Sequence, residues 1–443
     1  MRAVIAERGR RQSAMSTNAK AEAAVPRTNW AGNLIYGADR FLIPGTVEEA
    51  REAVRAADKV RVVGSRHCFN DIADTTGTHI SLERLNRVLE LDKAKSQAMV
   101  EGGIRYGEVG PSLHEQGYAL HNTASLPHIS IAGACATATH GSGALGNLAV
   151  AVAGIEFIDG HGDLVTLSRE ADGDTLAGAV VNLGALGVVT KLTLDLQPAF
   201  HVRQDVFREL PLAALETHFD DIMSSAYSVS VFTAWQADTI EQVWLKSLVE
   251  PGSTFPARDS LFGAWPAKEN LHPITSLDAV NCTEQMGTVG PAYDRLPHFR
   301  MGFTPASGDE LQVEYFVPRE YAVAAIRTLR RHGERLKALL LISEIRTVAA
   351  DELWMSPCYQ TSCVAFHFSF KRDWPALKTL LPGLEEALAP FQPRPHWGKM
   401  FAMSPEKVRA FYPRLMDFRA LLHAHDPRGK FRNAFVERNI FKK

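Results

Sequence analysis

Val62-Val63-Gly64-Ser65-Arg66-His67-Cys68-Phe69 is the stretch on which the fold turns. A β-branched run stops at a Gly-Ser turn, and a histidine follows at once. Such a turn presents several backbone N–H groups in a row, a natural cradle for phosphate, with the histidine held at the rim of whatever the phosphates belong to. A second small-residue segment follows later in the chain: Ala132-Gly133-Ala134-Cys135-Ala136-Thr137-Ala138-Thr139-His140-Gly141-Ser142-Gly143. Residues without bulk let a backbone approach a large planar cofactor closely. Either segment alone also fits a core-edge histidine after a tight turn. Two in order, with the C-terminal signals below, favour the cofactor reading.

Working outward, Thr46-Val47-Glu48-Glu49 is a capping box opening a helix to about Asp58. A short buried strand over 60–63 then delivers the Gly64-Ser65 turn. Strands are expected at 79–82, 88–91 and 98–101, with a helix near 106–116. Residues 154–158 and 164–167 flank Asp159-Gly160-His161-Gly162 as a hairpin. A helix over 174–183 and a long strand over 187–196 follow. After about Phe200 longer alternating runs appear, at 228–235, 243–249, 311–317, 340–348 and 363–370, with a helix over 320–338. This is an α+β pattern, an antiparallel sheet backed by helices. A last helix is expected near 405–424, and boundaries fall near 200 and 395.

A chain of 443 residues exceeds what one core usually holds, so two domains are expected. The net charge of −2 gives no electrostatic reason to bind nucleic acid. No run of eighteen apolar residues is present, so no membrane span is expected. The five cysteines (Cys68, Cys135, Cys282, Cys358, Cys363) include no CxxC pair, which suits reduced thiols in a cytoplasmic protein. Residues 1–24 are polar and lack the apolar core of a secretory signal; a disordered extension is expected, with Met15 an alternative start. No GxSxG, no P-loop and no GxGxxG after a first strand is found. Serine hydrolases, P-loop NTPases and Rossmann dehydrogenases are therefore disfavoured.

Strand parity organises the second half. Glu344 and Arg346 are two apart and share a strand face, with Ile345 and Thr347 on the other. His367 and Ser369 share a face in the same way, as do Gln312 and Glu314. If these faces coincide they form a polar floor suited to a polyhydroxylated ligand, whose every hydroxyl is both donor and acceptor. A solvated sheet face with cross-strand ion pairs fits the same pattern. Lys399, after His396-Trp397-Gly398, is either a surface charge or a cation set against developing negative charge. His121, His128 and His140 crowd the second loop, but no tight ligand spacing supports a metal, and structural hydrogen bonding is expected. Cys68 and Cys135 pass as small buried hydrophobes.

Together, residues 62–69, Ser125-Leu126-Pro127-His128-Ile129-Ser130-Ile131-Ala132-Gly133, Thr137 to Gly143, Ile342 to Thr347 and His396-Trp397-Gly398-Lys399 resemble the FAD-linked oxidases of the vanillyl-alcohol oxidase type. The resemblance is closest to the alditol and xylitol oxidase branch, with the aldonolactone oxidoreductases as near neighbours. It implies a two-domain VAO/PCMH-type flavoprotein: a bipartite FAD domain (25–200 with 396–443) around an antiparallel-sheet substrate domain (201–395). It implies FAD joined covalently to His67 alone, because Ser125-Leu126-Pro127 stands where some relatives carry a second-link cysteine. Val62, Val63, Gly64, Ser65 and Arg66 would face the pyrophosphate. Ser125, Ser130, Gly133, Thr137, Ala138, Thr139, His140 and Val188 would complete the cofactor site. Substrate contacts would be Ser125, Glu344, Arg346, Ser369 and Lys399, with Gln312 and His367 close by. Arg346, Lys399 and Glu344 would be catalytic. Ser369 replaces the branch's usual threonine, and Arg66 stands where the wider family prefers glycine. The implied reaction converts a terminal primary hydroxyl of an alditol to the aldose, with O2 reduced to H2O2, by a monomer that needs no metal. The neighbouring reading is an aldonolactone oxidase or dehydrogenase. A more remote one is a sugar-binding relative without catalysis.

Overall fold

Thr46 caps the Val47–Ala56 helix by accepting the amide of Glu49, and the Glu49 carboxylate bonds back to the amide of Gly45 at 2.8 Å. Ala50 and Val54 turn inward from this helix onto Val60, Ile80, Ile158, Val188 and Phe431. The chain leaves it into the Val60–Val62 strand and the Gly64 turn. This computed structural model describes residues 28–250, 252, 258–302 and 309–442; the expectation for residues 1–24 lies outside them.

Among the described residues the sheets fall into two groups. Arg40–Leu42, Thr78–Ile80 and Val60–Val62 form a small parallel sheet. A five-stranded antiparallel sheet runs in the order Val88–Asp92, Gln97–Glu101, Val188–Asp195, Val152–Ile158, Leu164–Ser168. Residues from His201 onward build a nine-stranded antiparallel sheet, with Leu340–Val348, Cys363–Lys371 and Glu310–Pro318 as neighbours on one side. One face of that sheet is apolar, with Ile345, Phe366, Phe368, Val313 and Tyr315 packed under the helices Ala322–Arg331 and Trp374–Leu388.

The C-terminal stretch returns to the N-terminal unit. The amide of Val60 bonds to the Lys430 carbonyl at 3.0 Å, and that of Phe69 to the Gly398 carbonyl at 2.8 Å. Asn433 Nδ2 donates to the carbonyls of Asp71, Ile72 and Asp74. The buried Arg61 guanidinium donates to the carbonyls of Ile72, Leu183, Gly184 and Phe431, tying three separate stretches to one strand.

Several expected elements end elsewhere. The helix placed at 174–183 is Arg169–Val180, capped by Ser168 and kinked at Gly173. The helix at 320–338 divides into Ala322–Arg331 and Gly333–Leu336, at a point where a Cβ on Gly333 would overlap the Trp235 carbonyl. The helix near 405–424 divides into Pro405–Ala410 and Leu415–His425. Pro413 lies in the gap and cannot continue the hydrogen-bond ladder. The strand His201–Pro211, the helix Trp374–Leu388 and the short Ile131–Ala136 helix inside the small-residue segment were not anticipated.

Candidate active site

The Gly64 turn and the small-residue segment face each other. Ser65 Oγ donates to the His128 carbonyl and accepts from the Ser130 amide, both at 2.9 Å. A Cβ on Gly64 would overlap the Ser130 hydroxyl, so only glycine lets the two loops close this far. Arg66 adopts φ +62°, a left-handed conformation that costs a non-glycine residue energy. That φ is the one for which glycine is the unstrained residue.

Between these loops and the large sheet lies a cavity of about 270 Å³. A smaller one of about 100 Å³ shares Val62 to Ser65, Ser130, Gly133 and Gly184 with it and extends past Gly102 and Gly103. The two are chambers of one elongated cleft. Its N-terminal wall is mostly backbone and small side chains, as a long cofactor with phosphates at its middle requires. His67 lines the larger chamber, its ring 4.9 Å from Trp30 and 4.7 Å from His128. Its imidazole makes no hydrogen bond among the described residues. Burial, then His128 and Lys399, hold its pKa well below the ordinary value, so it is neutral with a free lone pair. The residues therefore fit an FAD with the option of a bond at His67. His128 does not do the structural bonding expected of it: neither ring nitrogen has a partner among the described residues.

The opposite side is side-chain chemistry. In register across three strands, Gln312 pairs with Ser369 and Glu314 with His367, and His367 pairs with Glu344. The expected faces coincide, and Gln312, Glu314, Glu344, Arg346, His367 and Ser369 all line the cavity. Ser125 arrives from the N-terminal half and accepts from Arg346 Nη2 at 2.5 Å, while Arg346 Nε holds Glu344 Oε1 at 2.5 Å. Lys399 enters from the C-terminal loop, which Asn70 clamps through the carbonyls of Trp397 (2.8 Å) and Lys399 (2.6 Å). Its Nζ donates to Gln312 Oε1 and lies 5.0 Å from the Phe69 ring centre.

Burial alone would raise the pKa of Glu344, but Arg346 and then His298 outweigh it and hold the carboxyl well below the usual range. Glu314 follows the same logic, with His140 Nε2 at 2.9 Å as its partner. Burial depresses His367 to about 4 and His396 to about 3, so both are neutral. Burial also lowers Lys399, against the opposing pull of Glu314 and Glu310. The floor thus carries the carboxyls of Glu344, Glu314 and Glu310, the Arg346 guanidinium, the Lys399 amine and the neutral imidazoles of His367 and His396.

Of the anticipated cofactor contacts, Ala138 and Val188 do not reach the cleft wall; each is buried in core, and Val188 is flanked by Gly187 and Val189, which do. Five participants went unnoticed: Glu310, Lys246, His298, Trp30 and Asn70. Parity held the signal for two of them, and Glu310 shares the face of Gln312 and Glu314. Gln242, Trp244 and Lys246 alternate inward on the Thr239–Val249 strand, and Phe232, paired with both Gln242 and Glu344, puts them on the Glu344 face.

Residues 38–168 match the FAD binding domain family, and residues 308–439 match the D-arabinono-1,4-lactone oxidase family. An alditol oxidase from a Streptomyces species is 45% identical over 92% of this chain and 97% of its own length. An L-gulono-1,4-lactone dehydrogenase from Mycobacterium tuberculosis is 27% identical over 93% of this chain and 98% of its own. The crystal structure of cholesterol oxidase from B. sterolicum superposes with a TM-score of 0.75 at 15% identity, covering 93% of this chain and 96% of that one, a likeness of fold.

Proposed function

We propose, from the premise that this chain belongs to the alditol oxidase family of FAD-dependent VAO/PCMH-fold flavoproteins, that it oxidises a terminal primary hydroxyl of an acyclic polyol such as xylitol or sorbitol to the aldose. The observation that carries the reading is the polar floor: three adjacent strands, Ser125 and Lys399 converge on one cavity wall facing the small-residue wall. Bound FAD supplies the hydride acceptor and returns the electrons to O2 as H2O2.

The chain's own residues do the rest. The backbone of Val62 to Arg66 with Ser130, Gly133, Thr137 and Thr139 would hold the cofactor, and His67 would bond to it. Glu344, Ser125, Ser369 and Gln312 would hold neighbouring hydroxyls, so that one terminal carbon is presented at a fixed place. Arg346 and Lys399 would lower the pKa of the reacting hydroxyl and stabilise negative charge as it develops. Residues 25–200 with 396–443 would form the cofactor domain and 201–395 the substrate domain, a division supported by the bonds from Lys430 and Asn433 back to the N-terminal unit. Five unpaired thiols support a reducing, cytoplasmic setting. No described helix is long and apolar enough to cross a membrane.

The match of residues 308–439 to the D-arabinono-1,4-lactone oxidase family favours one second reading, an aldonolactone as substrate. Oxygen uptake with xylitol, sorbitol and an aldonolactone separates the two: the proposal expects peroxide in one-to-one yield from the polyols, and uptake with the lactone alone would replace it. For the His67 bond, flavin should stay with acid-precipitated wild type and be lost in His67→Ala. Flavin retained in that variant would refute the bond.

A further inference from the structure

Behind the polar floor lies a buried lysine–histidine pair that no step above uses. Lys246 is 1% exposed, and His298, 4% exposed, separates it from Glu344. Lys246 Nζ is within 2.6 Å of the Leu296 carbonyl, 2.8 Å of the Pro297 carbonyl and 3.1 Å of His298 Nδ1. These are three acceptors, one for each proton of an ammonium. On the other side of the ring, His298 Nε2 lies 2.8 Å from Glu344 Oε1 and 2.6 Å from Arg346 Nη2.

That nitrogen cannot both donate to Glu344 and accept from Arg346. Its tautomer decides which of the two substrate-facing groups the ring holds. We propose that Lys246 is a positioning residue that fixes His298 as the Nε2–H tautomer, so that the ring donates to Glu344 and leaves Arg346 to Ser125 and the substrate. The inference rests on the polyol reading for its kinetic consequence and not for its structural content. Burying a lysine is costly and is met here by a full set of acceptors, two of them carbonyls of the segment that carries His298 itself. Burial, and then Arg346, pull the Lys246 pKa well below the ordinary lysine value; Glu344 and Cys282 oppose them and Arg295 adds to them, so the charge depends on the three acceptors.

Without the ammonium, Nδ1 loses its donor and the proton is free to move there. Nε2 then becomes an acceptor for the Arg346 Nη2–H and no longer donates to Glu344. A carboxylate meant to orient hydroxyls would lose one of its two fixed partners.

The direct test is the ¹⁵N spectrum of ring-labelled histidine in the flavin-loaded protein, with the His298 signals identified by their loss in His298→Gln. The expected result is protonation at Nε2 in wild type and a shift toward Nδ1 in Lys246→Met. A wild-type Nδ1–H signal at His298 overturns the proposal whether or not Lys246→Met folds and whatever the substrate proves to be. The kinetic arm is a double-mutant cycle. Glutamine at 298 can place an amide donor near the Nε2 position and has no tautomer to choose. Lys246→Met should raise KM for xylitol about tenfold (a penalty of about 1.4 kcal/mol) with flavin content unchanged, and Lys246→Arg should restore most of it. In the His298→Gln background the same change should move KM less than twofold. An equal penalty in both backgrounds would show that Lys246 acts through packing and not through the ring. If wild type oxidises no polyol, the functional reading fails while the spectrum still decides the tautomer.

Discussion

The two walls of the cleft are made of opposite materials. The N-terminal wall is backbone, with glycines at contact distance from carbonyls and non-glycine residues Arg66 and Leu183 held at positive φ. The sheet floor is side chain, with Glu344, Arg346, Gln312 and Lys399 joined in hydrogen-bonded runs. A backbone wall carries shape and little chemistry, so it fails when an atom is added. A side-chain floor carries charge on a rigid scaffold, so it fails when a group is removed.

Adding an atom to the first wall should have the largest effect. A Cβ on Gly103 would overlap the Leu82 carbonyl and press on that of Leu85 at 2.8 Å. Gly103→Ala should cost about 3 kcal/mol, by overpacking with backbone on the far side. Flavin content by absorbance should fall by more than half and Tm by several degrees. Removing a group from the floor should spare flavin content and strike the rate. Arg346→Ala and Lys399→Ala should each slow turnover about a hundredfold, on the order of 3 kcal/mol, with normal flavin content.

Acid should weaken the floor as well. Burial holds His367 at about 4 and His298 and His396 at about 3, below the ordinary value of 6.5. The unfolded chain therefore takes up protons between pH 6.5 and about 4 that the folded one refuses, and stability falls as pH drops through that window. Calorimetry should show Tm declining there, with a shallower slope in His367→Gln. The smallest effect belongs to Ser369→Thr. It keeps the hydroxyl and adds one methyl at the floor, so it should change kcat/KM for xylitol by less than about tenfold.

The same contrast explains what could be read from the sequence. The backbone wall announces itself locally, in Gly64-Ser65 and Ala132 to Gly143, because shape made from small residues is contiguous. The floor was visible as two-residue parity on three strands. The layer beneath it is split: Lys246 shares the parity of Gln242 and Trp244, whereas His298 comes from an irregular segment with no period to place it. The edge of the large sheet was hidden differently. Its strand His201–Pro211 carries Glu209 at φ +59°, which breaks the alternation. The Trp374–Leu388 helix holds Pro382 and Gly383 in its interior, both of which read as breakers.

The central claim is that the floor presents a polyol, and anaerobic stopped-flow reduction of the flavin tests it most directly. With xylitol or sorbitol, wild type should bleach rapidly, Arg346→Ala about a hundredfold more slowly, and an aldonolactone should be inert. Rapid bleaching by the lactone alone, or an unchanged rate in Arg346→Ala, would contradict the account.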